Sequence, residues 1–263
     1  MTNRLSLMTS ESARDATLFN DQVVLVVGAS NGIGRAAASL ISYRGAKVIV
    51  ADMNPEGLKD LAQELNLSIN QVHTLDVSNQ NAVTQLIATI IKEHGKIDAL
   101  INSAGIVGQT NVKVEDLDWP QFEKTLQVNL YGAIWLTQQI IPHMKSRGYG
   151  RIVHLASIAG KEGNPGMASY NTSKAGLIGF VKGAAKELAP DGIIINALAP
   201  AVISTPMNSN TSEETLKYMI SRIPLGRTGQ ASEVAEIIAF MASPACSFTT
   251  GFTFDISGGR ATY

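Results

Sequence analysis

The chain has 263 residues, 45% hydrophobic and 16% charged, and its 21 Lys and Arg against 22 Asp and Glu leave a formal charge of -1. That length supports one large domain with its own core, and the near-neutral balance offers no basic field to nucleic acid. The longest apolar runs, such as Val23–Val27 and Ile193–Ile195, fall far short of the roughly 20 residues of a membrane span, so neither a nucleic acid nor a membrane is an expected partner. A single cysteine, Cys246, excludes an intrachain disulfide and fits the reducing cytoplasm. Residues 1–20 are polar, mixing Arg4 and Arg14 with Glu11 and Asp15, and are expected to form a flexible N-terminal tail ahead of a single domain over 21–263.

Val23–Val27 is an uninterrupted aliphatic run of the kind that forms a parallel strand covered on both faces. Gly28-Ala-Ser-Asn-Gly-Ile-Gly34 follows and opens a helix that ends near Gly45. Lys47–Asp52 reads as the second strand. Pro55 starts the next helix through Leu58, Leu61 and Leu65, and a short strand over Gln71–Leu75 ends at Asp76. Val83, Leu86, Ile87, Ile90 and Ile91 recur at helical spacing within Asn79–His94. Ile97–Ile101 then precedes the turn Asn102-Ser-Ala-Gly105. A long amphipathic helix is predicted over roughly Trp119–Ser146, bent late by Pro142. The apolar run Arg151–Ala156 leads to Ser157, a Gly/Pro-rich loop, and a helix carrying Tyr170 and Lys174. Ile193–Leu198 is the sixth strand. An irregular stretch, Pro200–Arg227, surrounds a short helix at Glu213–Ser221; its 205–226 portion is expected to serve as a substrate lid. A helix at Ser232–Met241 and a strand at Phe252–Ile256 close the chain.

Strands alternating with helices imply an α/β doubly wound parallel sheet of about seven strands, with helices on both faces. In such sheets ligands sit outside the carboxyl ends of the strands. Gly28–Gly34, Asp52, Asp76, Asn102, Ser157 and the Pro200–Thr205 loop all follow strand ends, on one rim. The glycine turn lets backbone approach a pyrophosphate at a helix N-terminus. Asp52, 24 residues after Gly28, is placed to accept hydrogen bonds from ribose hydroxyls and to repel a 2′-phosphate, which favours NAD over NADP. Arg35, beside the loop, is placed to reach a phosphate, although a surface role is the expected one. Asp76 suits either the adenine or the N-cap of the following helix. Tyr170 and Lys174 lie four apart and therefore on one helix face, where the ammonium favours the phenolate and fits Tyr170 for general acid–base work. Ser157 can hydrogen-bond the same substrate oxygen.

Gly28-Ala-Ser-Asn-Gly-Ile-Gly34, Asp76-Val77, Asn102-Ser-Ala-Gly105, Asn129, Ser157, Tyr170-Asn-Thr-Ser-Lys174 and Asn196-Ala-Leu-Ala-Pro200 together resemble the classical short-chain dehydrogenase/reductase family, with its Rossmann-like single domain, from Gln22 to Gly259. Val27, Ser103 and Ala201 depart from the family's usual Thr, Asn and Gly, and the first two are expected to loosen hydrogen bonds around the loop. The resemblance implies a catalytic tetrad of Asn129, Ser157, Tyr170 and Lys174. Tyr170 would transfer the proton while hydride passes to nicotinamide; Lys174 would bind the nicotinamide ribose and depress the Tyr170 pKa; Asn129 would support a relay water. It further implies NAD contacts at Gly28, Ser30, Asn31, Gly32, Ile33, Gly34, Asp52, Asp76, Val77, Asn102, Ala104, Gly105, Tyr170, Lys174, Pro200, Ile203 and Thr205. It also implies a homotetramer built on the Trp119–Ser146 and Ser169–Leu188 helices. No metal is expected.

The Gly160–Gly166 loop and the C-terminal Phe254–Tyr263 stretch look similar to family members that oxidise sugar acids or polyols. The expected activity is therefore NAD-dependent interconversion of a secondary alcohol and a ketone on a small hydroxylated substrate, such as a 2-keto-3-deoxy sugar acid. Lys161 and Arg260 are the candidate cations for its carboxylate. The alternatives are a 3-oxoacyl-carrier-protein reductase and, in another class, a catalytically silent dinucleotide-sensing protein.

Overall fold

The computed structural model describes residues 17–208 and 212–263. Seven parallel strands form one sheet in the order β3-β2-β1-β4-β5-β6-β9. These are β1 (Val23–Val27), β2 (Lys47–Asp52), β3 (Val72–Thr74), β4 (Ala99–Asn102), β5 (Gly150–Leu155), β6 (Ile193–Pro200) and β9 (Thr253–Ile256). Two-residue strands β7 (Ile203–Ser204) and β8 (Gly229–Gln230) pair separately, a ladder too short to leave a periodic signal in the sequence.

The runs lack polar alternation because both sheet faces are buried. Val23, Leu25 and Val27 of β1 point to one core, where they meet α3 (Gln80–His94), α5 (Gly132–Arg147) and α7 (Ala168–Leu188); Val24 and Val26 point to the other, shared with α1 (Gly32–Tyr43), α2 (Pro55–Leu65) and α9 (Ala231–Ala242). Leu25, Ile101 and Leu100 are fully buried. Truncating any of them to Ala should cost about 2–5 kcal/mol. Local chemistry sets the helix starts: Asn54 accepts from Gly57 N–H ahead of Pro55, Asn79 accepts from Ala82 N–H, and Asp118 accepts from Gln121 N–H to begin α4 (Trp119–Leu126).

The structure redraws several expectations. Core packing includes a residue before position 21: Phe19 is fully buried in the α1/α9 core, and its N–H donates to the Arg44 carbonyl at 3.0 Å. Residues 1–16 of the expected tail lie outside the described residues. The helix predicted over Trp119–Ser146 is helical throughout, with a π turn at Gln127–Tyr131 joining α4 to α5 and Pro142 inside α5. The loop after Ser157 contains the short helix α6 (Ala159–Glu162). In the predicted lid, residues 209–211 are outside the described residues, and α8 (Glu213–Ser221) occupies the expected place.

Candidate active site

Asp52, Asn102, Ser157 and the β6–β7 connection share the carboxyl rim of the sheet, as a doubly wound topology requires. Between β1 and α1 the chain turns so tightly that only glycine fits. Gly28 adopts φ +80°, and a Cβ there would lie 2.5 Å from Ala104 N; a Cβ on Gly34 would collide with the Gly28 carbonyl. Gly32 sits at φ +54° with Thr205 carbon atoms 3.3 Å from a Cβ placed on it. Asn31 makes no side-chain cap, which leaves the first-turn amides of α1 facing the rim as anion donors. Asp52 Oδ2 accepts from Ser30 N–H at 3.0 Å and its Oδ1 accepts from Asn54 N–H at 3.0 Å, so the acidic side chain abuts the glycine turn. The backbone-lined turn, the open helix terminus and the adjoining carboxylate fit a dinucleotide.

Other expected contacts resolve individually. Arg35 points away from the turn to Glu64 of α2, 2.6 Å away. Asp76 is not the N-cap of α3; Asn79 is, and Asp76 Oδ1 instead accepts from the Ser78 amide at 2.9 Å and from its hydroxyl at 2.7 Å. Val77 lines the β3–α3 connection against Gly132, and Ile203 is buried, its carbonyl accepting from the Thr205 hydroxyl at 3.4 Å. The departures at Val27 and Ser103 leave the main-chain stitch intact, since Ser103 N–H donates to Val27 O at 2.8 Å. Pro200 O accepts from Ile158 N–H at 3.0 Å, tying the β6 end to the residue after Ser157.

The four tetrad residues converge. Ser157 lies two residues beyond β5 with its hydroxyl accepting from Ala159 N–H at 3.1 Å, and it is close enough to the Tyr170 phenol to influence its proton. Lys174, 4% exposed, sends Nζ to the Leu155 carbonyl at 2.6 Å and lies 5.8 Å from the Tyr170 ring centre. Asn129 lies in the π turn, an irregularity that often marks functional positions. Its Oδ1 accepts from Ile106 N–H at 2.8 Å, and Nδ2 donates to Ile106 O at 2.9 Å and to Ser173 Oγ at 3.0 Å. A Cβ on Gly105 would meet Asn129 Oδ1 at 3.2 Å and Lys174 Nζ at 3.5 Å, so the Asn102–Gly105 turn closes directly over the tetrad.

The electrostatics differ from the spacing-based expectation. Burial pushes the Tyr170 phenol above its usual value, opposed by the hydrogen bond from Ser157. Lys174 donates to the Leu155 carbonyl, and burial draws Lys174 itself down to about 8. His154, fully buried one residue before Leu155, is drawn down to about 3 by burial and by the Lys174 charge. Sequence reading passed over His154; the available signal was an imidazole inside an otherwise apolar strand.

Lys161 and Arg260 are both paired within the chain. Lys161 Nζ is 3.0 Å from Asp255 Oδ2, and Arg260 Nε is 3.0 Å from Glu162 Oε2, while Arg260 Nη2 donates to Asn164 Oδ1 at 2.9 Å. Asn164 in turn exchanges two hydrogen bonds with Asn171, beside Tyr170. Among the described residues no group of three or more His, Cys, Asp or Glu is arranged to hold a metal, and no helix is long and apolar enough to cross a membrane.

Comparison with known proteins decides the class: residues 28–261 match the family model described as enoyl-(acyl carrier protein) reductase. The chain belongs to the short-chain dehydrogenase/reductase family. It is an oxidoreductase of alcohol and carbonyl groups that uses a nicotinamide cofactor. It is 43% identical over 239 residues, 91% of this chain and 95% of the relative, to the 2-dehydro-3-deoxy-L-rhamnonate dehydrogenase (NAD(+)) of Sphingomonas sp. (strain SKA58). It is 39% identical to the 3-oxoacyl-[acyl-carrier-protein] reductase FabG of Thermotoga maritima, covering 90% of this chain and 97% of that one. The crystal structure of gox2181 superposes with a TM-score of 0.87 at 31% identity, covering 93% of this chain and 98% of that one.

Proposed function

We propose that this dehydrogenase oxidises a secondary alcohol of a 2-keto-3-deoxy sugar acid with NAD. The reading is carried by the Asp52 carboxylate set against the glycine turn, where it accepts from Ser30 N–H and suits ribose hydroxyls better than a 2′-phosphate. Similarity to a relative named for NAD and such an acid supports it. Ser157 holds the substrate oxygen, and Tyr170 takes the hydroxyl proton in oxidation and returns it in reduction. Lys174 binds the nicotinamide ribose, and Asn129 fixes the Ile106 backbone while supporting a relay water. Bound NAD supplies the acceptor for the hydride leaving the carbinol carbon. Gly28–Gly34, Asp52, Asp76-Val77, Asn102–Gly105 and Pro200–Thr205 would hold the dinucleotide. Lys161 and Arg260 line the substrate side as supports of its wall, because Asp255 and Glu162 already offset their charges. The enzyme acts as a cytoplasmic homotetramer.

The second reading, a 3-oxoacyl-carrier-protein reductase, rests on the similarity to FabG proteins. Initial rates decide between them. A panel of 2-keto-3-deoxy sugar acids, uncharged polyols and 3-oxoacyl thioesters is offered with NAD(H) and NADP(H) in the matching direction. The sugar acid with NAD is expected to give the highest kcat/KM; a thioester with NADPH ahead of it would reverse the assignment.

A further inference from the structure

Among the buried titratable side chains that the proposed catalytic groups leave unused is His154 on β5, which is fully enclosed. Its surroundings come from three elements: Asn102 of β4, Thr137 of α5, and Phe180 of α7, whose ring packs edge-on at 6.4 Å between centres. The hydrogen bonds run in one direction, and a backbone amide fixes which. Ala104 N–H, able only to donate, points to Asn102 Oδ1 at 3.2 Å. Asn102 must therefore present its Nδ2 amide to His154 Nδ1, 3.4 Å away. With Nδ1 accepting, the neutral ring carries its proton on Nε2 and donates a hydrogen bond to Thr137 Oγ1 at 2.8 Å; the Thr137 hydroxyl donates in turn to the Ala133 carbonyl at 2.8 Å. Each buried polar atom in this row has a partner, and the row starts at the Asn102–Gly105 turn. The next residue along the strand, Leu155, offers the carbonyl that holds Lys174.

We propose that His154 is a positioning residue for the dinucleotide: through Asn102 it fixes the turn that closes against Gly28 on one side and against Lys174 and Asn129 on the other. The turn has little latitude, because Ala104 N would lie 2.5 Å from a Cβ on Gly28. Removing the imidazole acceptor frees Asn102 to rotate and lets Ala104 and Gly105 drift into the space the cofactor needs. The inference rests on the cofactor site proposed above.

The test compares wild type, His154→Leu and His154→Gln by calorimetric titration with NAD and, in parallel, with NADP. The leucine variant fills the space but neither donates nor accepts, and its affinity for the nucleotide should fall roughly tenfold, the worth of a net hydrogen bond. Glutamine supplies an acceptor and a donor and should restore affinity to within about threefold of wild type on the same scale. Unchanged affinity in His154→Leu accompanied only by a lower melting temperature would overturn the proposal. Should that variant fail to fold, the imidazole nitrogen resonances of the wild-type protein decide, since a proton on Nδ1 would break the row and overturn it. Binding of NADP in place of NAD would refute the cofactor preference alone, and the same ratio would then be read with NADP. Binding of neither by wild type would overturn both readings.

Discussion

Tyr170 sits between opposing influences: burial holds its proton on, and the Ser157 hydroxyl favours letting it go. The spacing of Tyr170 and Lys174 was legible in the chain as one face of a helix, but the direction of the lysine was not. A four-carbon stem can deliver its ammonium to any acceptor within reach, and here that acceptor is the Leu155 carbonyl. The carboxylate at position 52 makes the specificity claim. Asp52→Ala removes a ribose acceptor and a repulsive charge, so the ratio of kcat/KM for NAD over NADP should fall by about tenfold or more; an unchanged ratio would move cofactor discrimination elsewhere. His154 makes a stability claim. Its pKa is about 3 in the fold against 6.5 for the ordinary imidazole, so between those values the unfolded chain binds a proton that the folded chain does not. This group therefore costs the fold nothing above about pH 6.5 and destabilises it progressively as pH falls toward 3. Urea midpoints measured down that limb should fall less steeply for His154→Gln than for wild type; parallel curves would show that His154 does not exclude the proton.

At the scale of elements, the strands and most helices were legible because both-face burial writes continuous aliphatic runs and caps write Asn-Pro or Asp-x-Pro signatures. The π turn at Gln127–Tyr131 was not, since its side chains keep the apolar spacing of an ordinary helix while the backbone gains a residue. Nor were the contacts of the C-terminal tail, which join residues about a hundred positions apart: Arg260 to Glu162 and Asn164, and the Tyr263 hydroxyl to the Lys161 carbonyl at 2.9 Å. Lys161 and Arg260, the candidate carboxylate cations, are both ion-paired within the chain, and Arg260 ties the tail to the segment joining Ser157 to Tyr170. Arg260→Ala leaves Glu162 and Asn164 short of partners and should cost about 1–3 kcal/mol. It should also lower kcat/KM with little change in nucleotide affinity. Thermal unfolding with steady-state kinetics checks both, and unaltered kinetics beside an unaltered melting temperature would show the tie to be without effect.

Across the whole molecule, the parallel sheet brings seven separated stretches of chain to one rim, so the motifs that flank strand ends in sequence become a single cleft. That step was readable from alternation alone; the partner surfaces were not, because an apolar stripe looks the same whether it faces its own sheet or another copy. Here the stripe divides. Met144 is fully buried beside Leu136 and Ile140 in the core, whereas Leu126, Leu130, Ile134 and Ile141 are only partly covered and Trp119 is exposed. These partly covered side chains suit a neighbouring subunit, and light scattering at micromolar concentration should give about four times the chain mass; a stable monomer would contradict the assembly. The most direct test of the account as a whole is the steady-state rate of NADH formation by wild type and Tyr170→Phe on the best alcohol substrate, with NAD affinity measured alongside. Loss of the phenolic hydroxyl should cut kcat by about 100- to 10,000-fold while NAD binding stays within about twofold. Retention of most of the turnover by the phenylalanine variant would contradict the assignment of Tyr170 as the proton-transfer group.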